Sequence, residues 1–148
     1  MNGLYVIDTN GIIGYFDHVF EAPGNLSKST RTLIERALST SPQEVKLSIP
    51  SIVFVEIFEK WLDCEEMVAK FHYEVLNLLA RSPNIEIKPV EQEVLENMLE
   101  IRGTLADHEI HDKIILASAM MLHCSIITTD PKIREYVEVN GVIPSVIS

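Results

Sequence analysis

Four acidic residues stand where they could share a divalent cation: Asp8, Glu56, Asp112 and Asp130. Asp8 and Asp130 each follow an apolar run rich in β-branched residues. Glu56 and Asp112 lie in or beside segments whose apolar residues have helical spacing. An ionised carboxylate among packed hydrophobic side chains is costly unless something compensates it, and one hard cation such as Mg²⁺ would compensate several. The pattern therefore predicts a metal site and favours metal-dependent hydrolysis of a phosphodiester.

Each of these acids also has a purely structural interpretation. Asp8 and Asp130 could cap the turns that follow them. Asp112 lies near a predicted helix N-terminus, where the helix dipole favours any acid, and the acid at position 107 is a rival cap. Glu56 could be a surface residue paired with Lys60, four residues further on. The joint pattern is more informative than any single residue, because two acids end strands and two lie on helices.

Other polar residues near the acids could assist phosphodiester chemistry. Asn10 offers a neutral oxygen two residues after Asp8 that could hold a water. Candidate phosphate contacts are Lys113, Lys132, Arg134 and Arg102, although each could equally be a solvated surface charge. The net charge of −10 weakens a nucleic-acid interpretation, because phosphate binding usually leaves a basic surface. Bound cations or a basic partner protein would offset this charge.

Length and composition indicate one globular domain covering residues 1–148. An apolar content of 47% with 23% charged residues argues against disorder. No apolar run approaches the roughly 20 residues that span a bilayer, and the first residues lack the basic start of a signal peptide. We therefore expect no membrane association and a cytoplasmic location. The two cysteines, Cys64 and Cys124, are expected to be reduced and structural.

Strands and helices are predicted to alternate along the chain. The predicted strands are residues 4–7, 45–49, 85–87, 125–128 and a short last strand at 142–143. The predicted helices are residues 12–16, 30–38, 52–62, 65–79, 90–101, 112–122 and 131–137, with loops at 17–27 and 103–110. This alternation predicts an α/β fold with a mostly parallel central β-sheet flanked by helices. Ligands of such sheets bind beyond the carboxyl ends of the strands, where Asp8 and Asp130 are expected. The aromatic spacing of Phe54, Phe58 and Trp61 predicts helix packing or a dimer contact rather than base stacking.

The chain resembles the PIN domain family, and within it the VapC-type ribonuclease toxins. The resemblance rests on four motifs in order, from residue 4 to about residue 137. They are Asp8-Thr9-Asn10 after a first strand, Glu56 in an early helix, Asp112 leading Ile-Ile-Leu-Ala-Ser-Ala, and Thr128-x-Asp130 after a late strand. The stretch 17–29 and the helix-rich middle make this chain larger than a compact toxin of that kind.

The resemblance implies an endoribonuclease that depends on Mg²⁺ or Mn²⁺. Asp8, Glu56, Asp112 and Asp130 would form its acidic catalytic set, with Asp8, Asp112 and Asp130 as metal ligands. Asn10 and Thr128 would support them. The resemblance also implies an RNA substrate, a homodimer and, for a toxin, an antitoxin protein that blocks the site. An RNA-processing nuclease that is not a toxin, or a non-catalytic interaction module, are the alternatives.

Two other enzyme classes place an aspartate after the first strand. A phosphatase of the haloacid dehalogenase class needs Asp-x-Asp, in which the second aspartate is the general acid. Asn10 occupies that position here, so that chemistry lacks its acid. A response-regulator receiver expects an acidic pair at the end of the first strand and a phosphoacceptor in mid-chain, and neither is present.

Overall fold

The computed structural model describes residues 3–101 and 109–148. Its strands are β1 (Gly3–Ile7), β2 (Val45–Pro50), β3 (Ile85–Lys88), β4 (Ser125–Ile127) and β5 (Val146–Ile147). Its helices are α1 (Thr9–Tyr15), α2 (Asp17–Phe20), α3 (Lys28–Ala37), α4 (Ser51–Lys60), α5 (Glu65–Phe71), α6 (Asn77–Arg81), α7 (Gln92–Met98), α8 (Ile110–Leu122) and α9 (Pro131–Asn140). A π-helical turn, His72–Leu76, joins α5 to α6. No helix among the described residues is long and apolar enough to cross a membrane.

The five strands form one parallel sheet in the order β3-β2-β1-β4-β5. Because β1 lies between β2 and β4, the chain winds outward in one direction to β3 and in the other to β5. The change of direction falls between β1 and β4, where a crevice opens at the carboxyl ends of the two strands. This α/β architecture confirms the predicted fold class. It brings the ends of β1 and β4 side by side, although about 120 residues separate them in sequence.

Two close approaches to the sheet define the floor of this crevice. In α1, a Cβ on Gly11 would lie 2.6 Å from Ile7 Cγ1 and 3.3 Å from the Ile127 carbonyl oxygen, so only glycine fits there. In α8, the small residues Ala117, Ser118 and Ala119 are all buried, as predicted. Small side chains let both helices pack closely against the strands that carry the candidate site.

Several local predictions are wrong. The last strand is β5, not residues 142–143, because Gly141 ends α9 in the left-handed conformation (φ 62°) and Ile143 then packs into the core. The predicted loop 17–27 contains α2, whose Val19 and Phe20 are buried. The predicted strand 45–49 extends by one residue to Pro50, which directly precedes α4. Arg102, the acid at position 107 and most of the predicted loop 103–110 lie outside the described residues.

Candidate metal centre

Asp8 is a buried carboxylate at the carboxyl end of β1. Its side chain is only 1% exposed, and its backbone N–H donates to the Ile127 carbonyl of β4 at 3.1 Å. Its Oδ1 accepts a 2.7 Å hydrogen bond from the Gly11 N–H, which makes Asp8 the N-cap of α1. The structural interpretation of Asp8 as a cap is therefore observed. The cap, however, uses only Oδ1, so Oδ2 can bind other partners.

Thr128 joins Asp8 to the end of β4. Its side chain is fully buried, and its hydroxyl donates a short hydrogen bond to Asp8 Oδ2. The Thr128 hydroxyl oxygen in turn accepts a 3.0 Å hydrogen bond from the Asp130 N–H. Asp130 is half-buried and caps α9 by accepting a 2.8 Å bond from the Lys132 N–H. Thr128 thus fixes both the carboxylate of Asp8 and the backbone of Asp130.

Asp112 approaches the same crevice from α8. It lies in the first turn of that helix and is half-buried. The apolar face of α8, including Ile115 and Leu116, packs in the core and sets the position of this turn. The charges of Asp112 and Asp130 are both close enough to act on Asp8, whose pKa they raise. The structure therefore brings three of the four predicted acids into one electrostatic environment.

The pKa of Asp8 is raised from 3.8 to about 7. Burial is the largest cause, because it removes water from the ionised carboxylate. The hydrogen bonds from Thr128 and Gly11 act in the opposite direction, and the neighbouring carboxylates of Asp112 and Asp130 add to the increase. Within the described part of the chain, no lysine or arginine forms an ion pair with Asp8. A bound cation is the kind of group that would stabilise its ionised form.

Glu56 lies in a second polar cluster, between α4 and the start of α8. Although it is only 6% exposed, its Oε2 accepts a 3.0 Å bond from Lys60, the pairing anticipated from the sequence. Lys60 Nζ also lies 2.9 Å from Glu109 Oε2. These bonds, to Glu109 first and Glu56 second, raise the pKa of Lys60. The ammonium of Lys60 therefore compensates a glutamate that would otherwise be buried and unpaired.

His111 completes this second cluster. Its Nδ1 lies 3.9 Å from Glu56 Oε2 and 4.0 Å from Glu109 Oε2, and has no hydrogen-bond partner among the described residues. Glu56, Glu109 and His111 can each offer one ligand atom within 4.8 Å of the others. His111, although next to Asp112 in the sequence, thus faces Glu56. Glu109 was missed because a solvent-exposed glutamate between two helices has no distinguishing sequence pattern.

Three of the four basic residues proposed for phosphate contact lie on α8 and α9, the helices that begin beside Asp112 and Asp130. Lys113 follows Asp112 on α8, and Lys132 is exposed on the first turn of α9. Arg134 is turned toward the C-terminus, where its Nη2 donates to Ser148 Oγ at 2.7 Å. Asn10 is exposed at the start of α1 and lines a cavity of about 230 Å³ next to the acids. A larger, mainly apolar cavity of about 510 Å³ lies elsewhere, at the start of α5.

The aromatic residues of α4 pack as the sequence predicts. Phe54 and Phe58 both contact Phe71 edge-on, with ring centroids 6.2 and 5.8 Å apart. Trp61 contacts Phe20 in the same way at 5.8 Å. Trp61 is only half-buried, however, and its remaining surface lines the cavity next to Asn10, so the packing predicted from the sequence uses only part of this ring.

The family model of the PIN domain matches residues 5–139 of this chain. The chain belongs to the PIN domain family. The match includes all four predicted acids and the whole sheet except β5 and the first residues of β1. It confirms the resemblance stated from the four sequence motifs. No curated protein sequence matches the chain.

Solved structures of toxin-antitoxin systems share this PIN fold. One is VapBC2 from Rickettsia felis bound to a DNA fragment from its promoter, with 16% identity, a TM-score of 0.64 and 97% of each chain covered. Another is FitAcB from Neisseria gonorrhoeae, with 17% identity, a TM-score of 0.61, and 99% of this chain and 97% of that chain covered. A toxin-antitoxin complex from Klebsiella pneumoniae has 24% identity and a TM-score of 0.54, covering 97% and 96%. At these identities the similarity shows the fold.

Proposed function

We propose that this PIN domain is a divalent-metal-dependent endoribonuclease, and that it is the toxin of a toxin-antitoxin pair. PIN domains are nucleases that use divalent metal ions. The observation that carries the proposal is the Asp8 carboxylate, which is almost fully buried, has a pKa of about 7 and has two further carboxylates nearby. A fold maintains such a costly arrangement when a ligand compensates it.

The donor set fits a hard divalent cation. Asp8, Asp112 and Asp130 would hold it through carboxylate oxygens, which are the ligands that Mg²⁺ and Mn²⁺ prefer. A bound cation would neutralise charge on the phosphate oxygens and help water to ionise. Thr128 would orient the Asp8 carboxylate, as outer hydrogen-bond partners do for metal ligands. Asn10, exposed at the rim, would hydrogen-bond a water or the RNA strand.

Glu56 would complete the acidic catalytic set from α4. Lys60 pairs with its carboxylate at 3.0 Å, and we propose that this ion pair orients Glu56 in the site. Three basic side chains, Lys113, Lys132 and Arg134, would contact RNA phosphates at the edge of the site. Their small number agrees with a net charge of −10 and predicts weak binding of RNA in the absence of the cation.

The proposal extends to partners. The structural neighbours are toxins crystallised with their antitoxins, and an acidic chain suits an antitoxin with a basic segment. Exposed apolar side chains on α7 and α8, among them Leu95, Leu99 and Ile110, are available for an antitoxin or for a second copy in a homodimer. RNA and antitoxin would both be met in the cytoplasm. The alternative, an RNA-processing nuclease without an antitoxin, uses the same site.

The deciding experiment is cleavage of a circular RNA, which only an endonuclease can open. Wild-type protein is compared with Asp112→Asn in Mn²⁺, in Mg²⁺ and in EDTA, and the exposed Asp63→Asn serves as the matched control. We expect cleavage by the wild type and the control, and none in EDTA or by Asp112→Asn. Cleavage that persists both in EDTA and in Asp112→Asn would show that the proposed metal centre is not where RNA is cleaved. Absence of both cleavage and calorimetric Mn²⁺ binding would leave a non-catalytic interaction module.

The toxin role is tested by induced expression in bacterial cells. Wild-type protein should stop growth within a few generations, whereas Asp112→Asn at equal abundance should not. Co-expression of a protein that co-purifies with this chain should restore growth. Normal growth with an active nuclease would instead favour the RNA-processing alternative.

A further inference from the structure

A small cavity opens next to the proposed metal site. It has a volume of about 230 Å³, below the roughly 300–1,000 Å³ typical of pockets that bury a drug-sized ligand. Two of its lining residues are direct neighbours of the candidate ligands, because Asn10 follows Asp8 by two residues and Thr129 precedes Asp130. The other side is formed by Trp61, Pro23 and Asn25. A ligand in this cavity would therefore lie near the proposed metal site.

The lining has the chemistry of a site for a neutral, planar group. All of its side chains are uncharged, which is unfavourable for a phosphate but suitable for a nucleobase. Trp61 supplies the one indole ring of the chain, and base–aromatic stacking is the usual way to hold a single-stranded base. The exposed amides of Asn10 and Asn25 can both donate and accept hydrogen bonds at a base edge. The cavity size suits one base rather than a whole nucleotide.

The rim of the cavity is held in place by the stretch 17–29. The Ala22 N–H donates to the Asp17 carbonyl at 3.1 Å. Gly24 passes against the Asp17 carboxylate so closely that a side chain there would collide with it. Arg31 lies 3.4 Å from the same carboxylate. A rim that is already ordered loses little entropy when a ligand binds.

Trp61 is also fixed from behind. Its ring is packed edge-on against buried Phe20, which orients the indole while leaving part of it exposed. A second cavity on the other side of Trp61 is lined by charged side chains of both signs, the acids Glu21, Asp63 and Glu66 and the lysines Lys60 and Lys70. The cavity beside the candidate metal ligands therefore differs from its neighbour in having an uncharged lining.

We propose that the cavity lined by Asn10, Asn25, Trp61 and Thr129, here called the base cavity, binds one unstacked nucleobase of the RNA strand. The base would belong to a nucleotide adjoining the phosphodiester at the metal site. This inference rests on the proposed nuclease function, whose substrate it specifies as single-stranded at that position. Base pairing would hide the edge and the face that the cavity recognises.

The test uses the four nucleoside 5′-monophosphates in Mg²⁺, with ribose 5-phosphate as the probe that lacks a base. Fluorescence excited at 295 nm reports on Trp61 alone, because the chain has one tryptophan. We expect at least one monophosphate to quench this emission and to bind about tenfold or more tightly than ribose 5-phosphate, as a base-stacking contribution predicts. Asn25→Ala should weaken that binding severalfold. Asn140→Ala, which removes an exposed amide at the far end of α9, should not.

Equal affinity for ribose 5-phosphate and the monophosphates would overturn the base cavity, as would unchanged Trp61 emission at saturation. Equal affinity of Asn25→Ala and Asn140→Ala for the monophosphate would also overturn the assignment of the base cavity. Monophosphates contain no phosphodiester, so the result does not depend on cleavage. An inactive protein that still prefers the base would refute the nuclease alone, whereas an active nuclease without that preference would refute the base cavity alone.

Discussion

Replacing Asp8 by asparagine should stabilise the metal-free protein at alkaline pH while abolishing its metal binding. The structure shows why the substitution is tolerated. The asparagine oxygen can accept the Gly11 N–H as Asp8 does now, and the amide can donate to Thr128 Oγ1. That hydroxyl accepts one bond at present, from the Asp130 N–H, and has a second lone pair for the amide. The exchange therefore removes a charge and keeps the cap of α1, but the buried Thr128 hydroxyl loses the acceptor to which it now donates.

The size of the effect follows from the raised pKa of Asp8. In the folded protein this carboxyl keeps its proton up to about pH 7, whereas in the unfolded chain it loses the proton near pH 3.8. Between these values the folded state binds more protons, so stability falls as the pH rises and becomes constant above about pH 7. At about 1.36 kcal/mol per pKa unit, the loss of stability between pH 3.8 and about pH 7 is roughly 4 kcal/mol. Because the loss ends at about pH 7, raising the pH from 5.5 to 8 costs roughly 2 kcal/mol of it.

The measurement is thermal and urea unfolding of both proteins at pH 5.5 and pH 8 in EDTA. Other titrating groups affect both proteins equally, so the quantity compared is the difference between the two pH dependences. We expect the wild type to lose about 2 kcal/mol more than Asp8→Asn, or about 4–8 °C in Tm for a chain of this length. Mg²⁺ should then raise the Tm of the wild type at pH 8 but not that of Asp8→Asn. Identical pH dependences would refute the assignment of a raised pKa to Asp8.

Three further substitutions test the surroundings of the site. Gly11→Ala should cost about 1–3 kcal/mol in urea unfolding, because its Cβ would overlap Ile7; an unchanged midpoint would contradict the close packing of α1. Thr128→Val should weaken calorimetric Mn²⁺ binding by roughly tenfold or more, because an outer hydrogen bond to a ligand is lost, and equal affinity would show that the hydroxyl is dispensable. Lys60→Met should lower the free energy of unfolding by roughly 1 kcal/mol, since the ion pair with Glu56 is partly exposed. Mn²⁺ should restore the lost Tm by replacing the positive charge beside Glu56. If the double variant with Glu56→Gln regains Tm equally, Mn²⁺ is not acting through Glu56.

The sequence predicted those parts of the site that depend on parallel-sheet geometry. Asp8 follows four apolar residues and Asp130 follows β4, and the rule that ligands bind at strand ends brings them together without further information. Asp112 was predicted through the small residues that let α8 approach the sheet. These inferences hold because burial patterns and strand ends are local properties of the chain.

The environment of Glu56 could be predicted only in part. The four-residue spacing to Lys60 indicated an ion pair, and that pair is present. No pattern in the sequence indicated that Glu109 and His111 approach the same carboxylate, because this contact depends on where α8 begins relative to α4. The last strand was misplaced for a similar reason: the apolar pair 142–143 has the composition of a strand, but Ile143 packs into the core and β5 pairs with β4 further on.

The two acidic clusters of this chain handle buried negative charge differently. Glu56 is compensated from within by Lys60, whose ammonium lies 3.0 Å from its carboxylate. Asp8 has no such partner among the described residues, and its ionisation near pH 7 lowers the stability of the fold. A protein that had only to fold would avoid this charge at position 8, since asparagine could keep the cap of α1 through its oxygen without a carboxylate that ionises in the core. The aspartate is therefore best explained by a ligand that needs its charge, which links the stability measurement on Asp8→Asn directly to the proposed metal chemistry.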